Sequence, residues 1–180
     1  MPLPAPQARQ LAHTRQVTYR GFERDDGLWD IEATLLDTKP NVFVIPGERT
    51  WQPNEPVHHM SIRLTINTQL VIQDIQVAMD DIPHGECPQA MPPMKQLIGA
   101  RLGGGWRKTI DETLGKTKGC AHMRELLFNM ATAAFQSVSS AFEATDPQVM
   151  PPHLDRCVAW CLESDLVGRR YPMFFRPPRV

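Results

Sequence analysis

The chain has 180 residues, 42% of them hydrophobic, with 19 Lys+Arg against 20 Asp+Glu and a formal net charge of -1. That length builds one domain with a real core. The balanced charge excludes a nucleic-acid groove or a polybasic membrane surface, since both need a cationic excess. Apolar runs such as MATAAF are too short to span a bilayer, and MPLPAPQARQ has neither the apolar segment nor the cleavage pattern of a signal peptide. The expectation is a cytoplasmic protein whose four cysteines stay reduced. It is a single domain over 1–180, with 1–13 as an N-terminal arm and 176–180 as a tail.

The 17 prolines cluster in the arm, at 40–56, 83–93 and 147–152, and in the tail. Proline supplies no backbone donor, so these clusters mark connections between regular elements. After an Asp25-Asp26-Gly27 turn, Trp29, Ile31, Ala33 and Leu35 alternate with Asp30, Glu32 and Thr34, the period of a half-buried strand. Residues 14–23 suit the other arm of that hairpin, and VFVI within the loop-like 39–56 stretch suits a short strand. The clearest β signal is at 58–79: His58, Met60, Ile62, Leu64 and Ile66 share one face, His59, Ser61, Arg63 and Thr65 the other. Asn67-Thr68-Gln69 turns the chain into a second Val/Ile-rich strand, giving a hairpin.

After Pro83 the period lengthens. Met94, Leu97 and Leu102 suit a short helix that starts at Pro-Pro and stops at Gly103-Gly104-Gly105. A second runs from Trp106 to Leu114, and the strongest covers 121–144, where Met123, Leu127, Met130, Ala134, Val138, Ala141 and Phe142 recur at spacings of three and four. Residues 154–163 suit a further helix and 171–175 a last strand. Strands followed by helices predict an α+β fold: an antiparallel sheet of hairpins with helices, one of them long, packed on one face.

Chemistry concentrates in the Cys/His pattern. Cys87 follows the hairpin in HGECPQ, and Cys120 and His122 open the long helix in KGCAHMREL. A thiol at a helix N-terminus meets unpaired N–H groups and the positive dipole end, which favours thiolate. Thiolate with imidazole makes a site suited to zinc or iron. His122 and Glu125 are three apart, so the carboxylate could orient the ring. His58 and His59 point to opposite faces, so only one reaches that site, and His59 joins Cys87, Cys120 and His122 as the candidate metal set. The competing reading is that these thiols only pack or cap, as free cysteines commonly do. Cys157 and Cys161, four apart, read as one packed helix face, and His13, His84 and His153 as exposed loop residues.

A second constellation is polar. Asp30 and Glu32 share a strand face, and Arg63 lies on the polar face of another. In register, the Arg fork would sit between two carboxylates, either as a solvated ion pair or as a catalytic group with a carboxylate base. The Gly103-Gly104-Gly105 run lacks the residues of a phosphate loop and reads as a helix stop.

The stretches RDDGLWDIEATLLDTK, HHMSIRLTINTQLVIQDIQVAMDDIPHGEC and LGGGWRKTIDETLGKTKGCAHMRELLFNMATAAFQ resemble the bacterial domain-of-unknown-function family DUF2889. That resemblance implies a cytosolic bacterial protein and carries no activity with it. More loosely, the order of strands, cysteine, helices and second cysteine looks like the iron–sulfur scaffold and sulfur-acceptor fold. That likeness implies Cys87 and Cys120 as holders of a cluster or zinc, with His122 or a hairpin histidine in place of a third cysteine. The resulting expectation is an enzyme performing lyase or hydrolase chemistry on a small organic, catabolic and even aromatic substrate, with zinc or iron as cofactor. The catalytic groups would be Asp30, Glu32 and Arg63. The alternatives are a scaffold for metal, cluster or persulfide, and a metal-free small-molecule binding module. The expected partner is a small molecule, with neither nucleic acid nor membrane. A homo-oligomer covering the polar sheet face stays open.

Overall fold

Alternating sequence becomes alternating burial in the computed structural model, which describes residues 2–138 and 148–177. The strands are β1 (Thr14–Glu23), β2 (Trp29–Thr38), β3 (Phe43–Ile45), β4 (Arg49–Trp51), β5 (Pro56–Ile66) and β6 (Ile72–Asp81). Four make one antiparallel sheet in the order β1-β2-β5-β6, while β3 and β4 pair with each other. Gly27, at φ +79, closes the β1–β2 turn in a conformation that costs glycine little. There the Arg24 N–H donates to the Leu28 carbonyl at 2.9 Å.

The rungs Ile31↔Leu64, Ala33↔Ile62 and Leu35↔Met60 run up the middle of the sheet, and every one of these side chains is buried. Their outward neighbours are polar. A two-sided pattern of this kind needs a cover on one face only. The cover is α2 (Ala121–Ser137), whose Met123, Leu126, Leu127, Met130 and Ala134 are fully buried and which packs on β1, β2 and β5. Its neighbour α1 (Trp106–Leu114) buries Trp106, Ile110 and Leu114, and the Trp106 indole N–H donates to the Leu127 carbonyl at 2.7 Å. The α+β fold is therefore the one that the hydrophobic periods predict.

Two contacts seat the middle and the end of α2 on the edge strand. The Tyr19 hydroxyl donates to the Leu126 carbonyl at 3.4 Å, and Gly21 faces the last residue of the helix so closely that a Cβ there would overlap the Ser137 side chain. Residue 21 is glycine because of space, not because of its backbone angles.

The chain divides into two compact units, Met1–Ser137 and Val138–Val180, where the sequence predicts one domain. The second has a small core of Leu154, Leu162 and Val167, with Trp160, Tyr171, Phe174 and Phe175 packed against it. Its expected elements are not formed. Residues 154–163 are a series of turns, in which the Asp155 N–H donates to the Trp160 carbonyl and Asp155 takes a positive φ of 59, which breaks a helix. The helix comes later, α3 (Asp165–Arg170), capped by the Ser164 hydroxyl accepting from the Val167 N–H at 3.2 Å. Pro172 opens a 3-10 turn, Pro172–Phe174, in place of the expected strand, since proline withholds a ladder donor. Similarly, the first expected helix, from Pro92-Pro93 towards Gly103, forms only as a 3-10 turn, Pro92–Leu97, with another 3-10 turn, Cys87–Ala90, before it. Residues 139–144 of the long helix and 178–180 of the tail lie outside the described residues.

The sheet's two faces predict opposite outcomes for adjacent residues. Ile62→Ala should cost about 2–5 kcal/mol, whereas Arg63→Ala, removing an exposed ion pair, should cost under about 1 kcal/mol. Urea unfolding of both variants measures this, and comparable losses would contradict the assignment of faces.

Candidate functional site

The core ladder does not end in an apolar rung. Asp37 has the same parity along β2 as Trp29, Ile31, Ala33 and Leu35, so its carboxylate faces inward. Its partners in register are Arg15 of β1 and His58 of β5, which makes a polar row across three strands at one end of the buried face. The Asp37 side chain is only 4% exposed, and a buried carboxylate persists only if its charge is matched. Arg15 does most of this with a two-pronged contact, Nε to Oδ1 at 2.8 Å and Nη2 to Oδ2 at 2.7 Å. His13 adds a bond from Nε2 to Oδ1 at 3.0 Å. Burial pushes the Asp37 carboxyl up, but the Arg15 fork and charge, with help from His13 and His58, hold it below the usual carboxylate range.

His58 is the member without a settled partner. Its buried Nδ1 lies 3.0 Å from Asp37 Oδ2 and has no other partner among the described residues. Burial, then the neighbouring His122 charge, lower the His58 pKa against the pull of Asp37. The neutral ring, which can ligate a metal, is thereby favoured.

Helix α2 delivers the fourth group. Cys120 precedes it as the N-cap, its carbonyl accepting from the Arg124 N–H at 3.0 Å. His122, in the first turn, stacks on His58 with ring centroids 4.1 Å apart and puts its Nδ1 3.7 Å from Cys120 Sγ. Burial raises the Cys120 thiol, but the His122 contact and the N–H groups of Met123 and His122 outweigh it, and the net direction is down. Cys87 goes the other way, raised first by burial and also by the charge of Cys120. Glu125, expected to orient His122, instead accepts from Arg15 Nη1 at 2.6 Å. It ties the helix to the same guanidinium that holds Asp37.

Of these groups, His13, Arg15, Asp37, His58, Cys87 and His122 line a pocket of about 560 Å³. Asp37, His58 and His122 each offer a ligand atom within 4.8 Å of the others, the one such group of three among the described residues. The 3.0 Å between His58 Nδ1 and Asp37 Oδ2 is close to what two adjacent ligands show around an ion at about 2.1 Å from each. Apolar walls come from Phe43, Ile45, Val57 and Pro83.

The sequence profile of a family described as protein of unknown function, DUF2889, matches residues 13–136. The chain belongs to that family. Neither a curated protein nor a solved structure matches it, so the looser likeness to iron–sulfur scaffolds gains no support. The stretch that the DUF2889 profile matches contains the whole pocket, from His13 to His122.

The expected metal set, Cys87, Cys120, His122 and His59, is not brought together as one group. His59 is replaced by His58, because strand alternation turns His59 outward. Its Nδ1 lies 3.7 Å from Asp80 and 3.9 Å from Asp81. Cys87 lines the pocket while Cys120 stands behind His122, outside the lining. Asp30, Glu32 and Arg63 lie on the other face of the sheet. Arg63 bonds Glu32 alone, at 2.8 Å from Nε and 2.7 Å from Nη2. Register puts Thr65 opposite Asp30, so Asp30 accepts from Thr65 Oγ1 at 2.6 Å and from Arg24 at 3.4 Å. Cys157 and Cys161 share no helix, and Cys157 is exposed.

Asp37 and Arg15 escaped sequence reasoning, and His58 was passed over for His59, although their parity marks them. Each continues a face of apolar residues with a charge or an imidazole.

Two outcomes follow from the electrostatics. A carboxyl held below its ordinary value adds stability above about pH 4 and loses it as pH falls through the lowered value. In acid unfolding, Asp37→Asn should therefore lose less stability than wild type below about pH 4, while being weaker at neutral pH by about 2 kcal/mol. At about pH 7.5, iodoacetamide should modify Cys120 ahead of Cys87, and His122→Ala should slow Cys120. Peptide mass spectrometry reads the order, and a faster Cys87 would contradict it.

Proposed function

We propose that the protein is a metal-dependent enzyme acting on a small organic molecule, with Asp37, His58 and His122 as the ligands of one divalent ion. The observation that carries this is the convergence of two imidazoles and a buried carboxylate at a pocket. Two histidines with one carboxylate suit ferrous iron or zinc and leave coordination positions open for substrate. The ion would act as a Lewis acid, which suits the hydrolase or lyase chemistry expected from the sequence.

The surrounding residues have separable tasks. Arg15 and His13 fix the orientation of the Asp37 carboxylate, and Cys120 fixes the His122 ring, as outer partners of metal ligands do. The guanidinium beside Asp37 also repels a cation, so the site binds its ion less tightly than the same three ligands would without Arg15. A pocket of about 560 Å³ is in the range of small-molecule sites. We place the protein in the bacterial cytoplasm, in keeping with four free cysteines. No helix among the described residues is long and apolar enough to cross a membrane.

Metal analysis of protein purified without a histidine tag tests the reading. After equilibration with zinc or ferrous iron and removal of excess, about one ion per chain should remain. His58→Ala and His122→Ala should each lose it, while Cys87→Ser should retain it. Loss in Cys87→Ser, retention in both histidine variants, or no ion in wild type would each overturn the assignment.

A further inference from the structure

The pocket's charges point beyond a generic small molecule. Its lining holds the cations Arg15 and Lys39 and several histidines, against the single carboxylate of Asp37. The charge of Arg15 is already matched by Asp37 and Glu125, at 2.7 and 2.6 Å. His84, another lining residue, is paired with Glu48 at 3.2 Å. Lys39 differs. It is half-buried, its Nζ stands 4.8 Å from the centre of the Phe43 ring, and it has no ion-pair partner among the described residues. The face of the Phe43 ring attracts this ammonium as a cation–π contact but does not neutralise its charge, and no carboxylate among the described residues does so. The ammonium is therefore prepared for an anion that the chain does not supply.

From this we infer that the pocket binds a small organic carboxylate. Its carboxylate pairs with Lys39, and its apolar body lies against Phe43 and Val57. The remaining end is directed to Asp37, His58 and His122, and that orientation alone rests on the metal-enzyme reading above. Inorganic anions and short acids satisfy Lys39 but leave the apolar wall exposed. Neutral analogues cover the wall and leave the ammonium unpaired. The anion and the apolar body are both required.

The test uses three probes on the full-length protein, with chelator present so that no metal competes for the carboxylate: hexanoate, hexanamide and acetate. Amide NMR titration should show hexanoate shifting residues around Phe43, Val57 and His58. Its affinity should exceed that of hexanamide and of acetate by about tenfold or more, the effect of one partly buried charge-assisted contact. Lys39→Met should remove the preference for hexanoate over hexanamide, and Lys39→Arg should keep most of it. Both variants should show the wild-type spectrum elsewhere. Equal binding of hexanoate and hexanamide, a preference that survives Lys39→Met, or no shift at millimolar hexanoate would each overturn the inference. Hexanoate binding by a protein that retains no metal would sink the metal assignment and leave this one standing. A stoichiometric metal without hexanoate binding would do the reverse.

Discussion

One buried charge organises this protein. Asp37 occupies a position on the core face of β2 where the pattern of the strand supplies an apolar residue at every other rung. Taking a carboxylate out of water costs several kcal/mol unless partners replace the lost solvent. Those partners come from across the unit: Arg15 and His13 from one side, His58 from the other. Glu125 then binds the far edge of the Arg15 guanidinium and brings in the first turn of α2. The N-terminus of the helix is in this way referenced to the sheet by electrostatics, while the rest of its length is held by apolar packing.

The same constraint separates the two faces of the sheet. Outward residues such as Glu32 and Arg63 form an ion pair that water could replace at little loss. The inward row cannot be dismantled so cheaply, because removing one member leaves another charge stranded. Groups held in that condition are costly to keep for structure alone. Here they meet a pocket.

Much of the fold was legible. Strand alternation at 29–35 and 58–66, the Asp25-Asp26-Gly27 turn and the periodic apolar face of α2 gave the hairpins and their cover, because each is a local pattern with a strong period. The 154–175 segment was not. Its short turns depend on a single positive φ at Asp155 and on the missing donor of Pro172, which outweigh a weak helical pattern. The site was legible by half. The residues at 120 and 122 could be found from a helix start. The choice between His58 and His59 depended on which strand face the site used, and that was fixed by Asp37, a residue 21 positions earlier whose partners are set only by pairing. Asp37, at the end of β2, was passed over. Its parity with the core face held the answer.

The tight seat of Ser137 on Gly21 extends this logic to the far end of the helix. Glu125, near the start of α2, is tied to Arg15 of β1, and the last residue of the helix lies close against Gly21 of the same strand, so both ends of the helix meet the edge strand. The spacing between the His58 and His122 rings then depends partly on the fit at position 21, about 22 Å away along the helix at 1.5 Å per residue. The helix works as a strut between a charged corner and a steric stop. The smallest side chain in the edge strand becomes part of the tolerance to which the pocket is built.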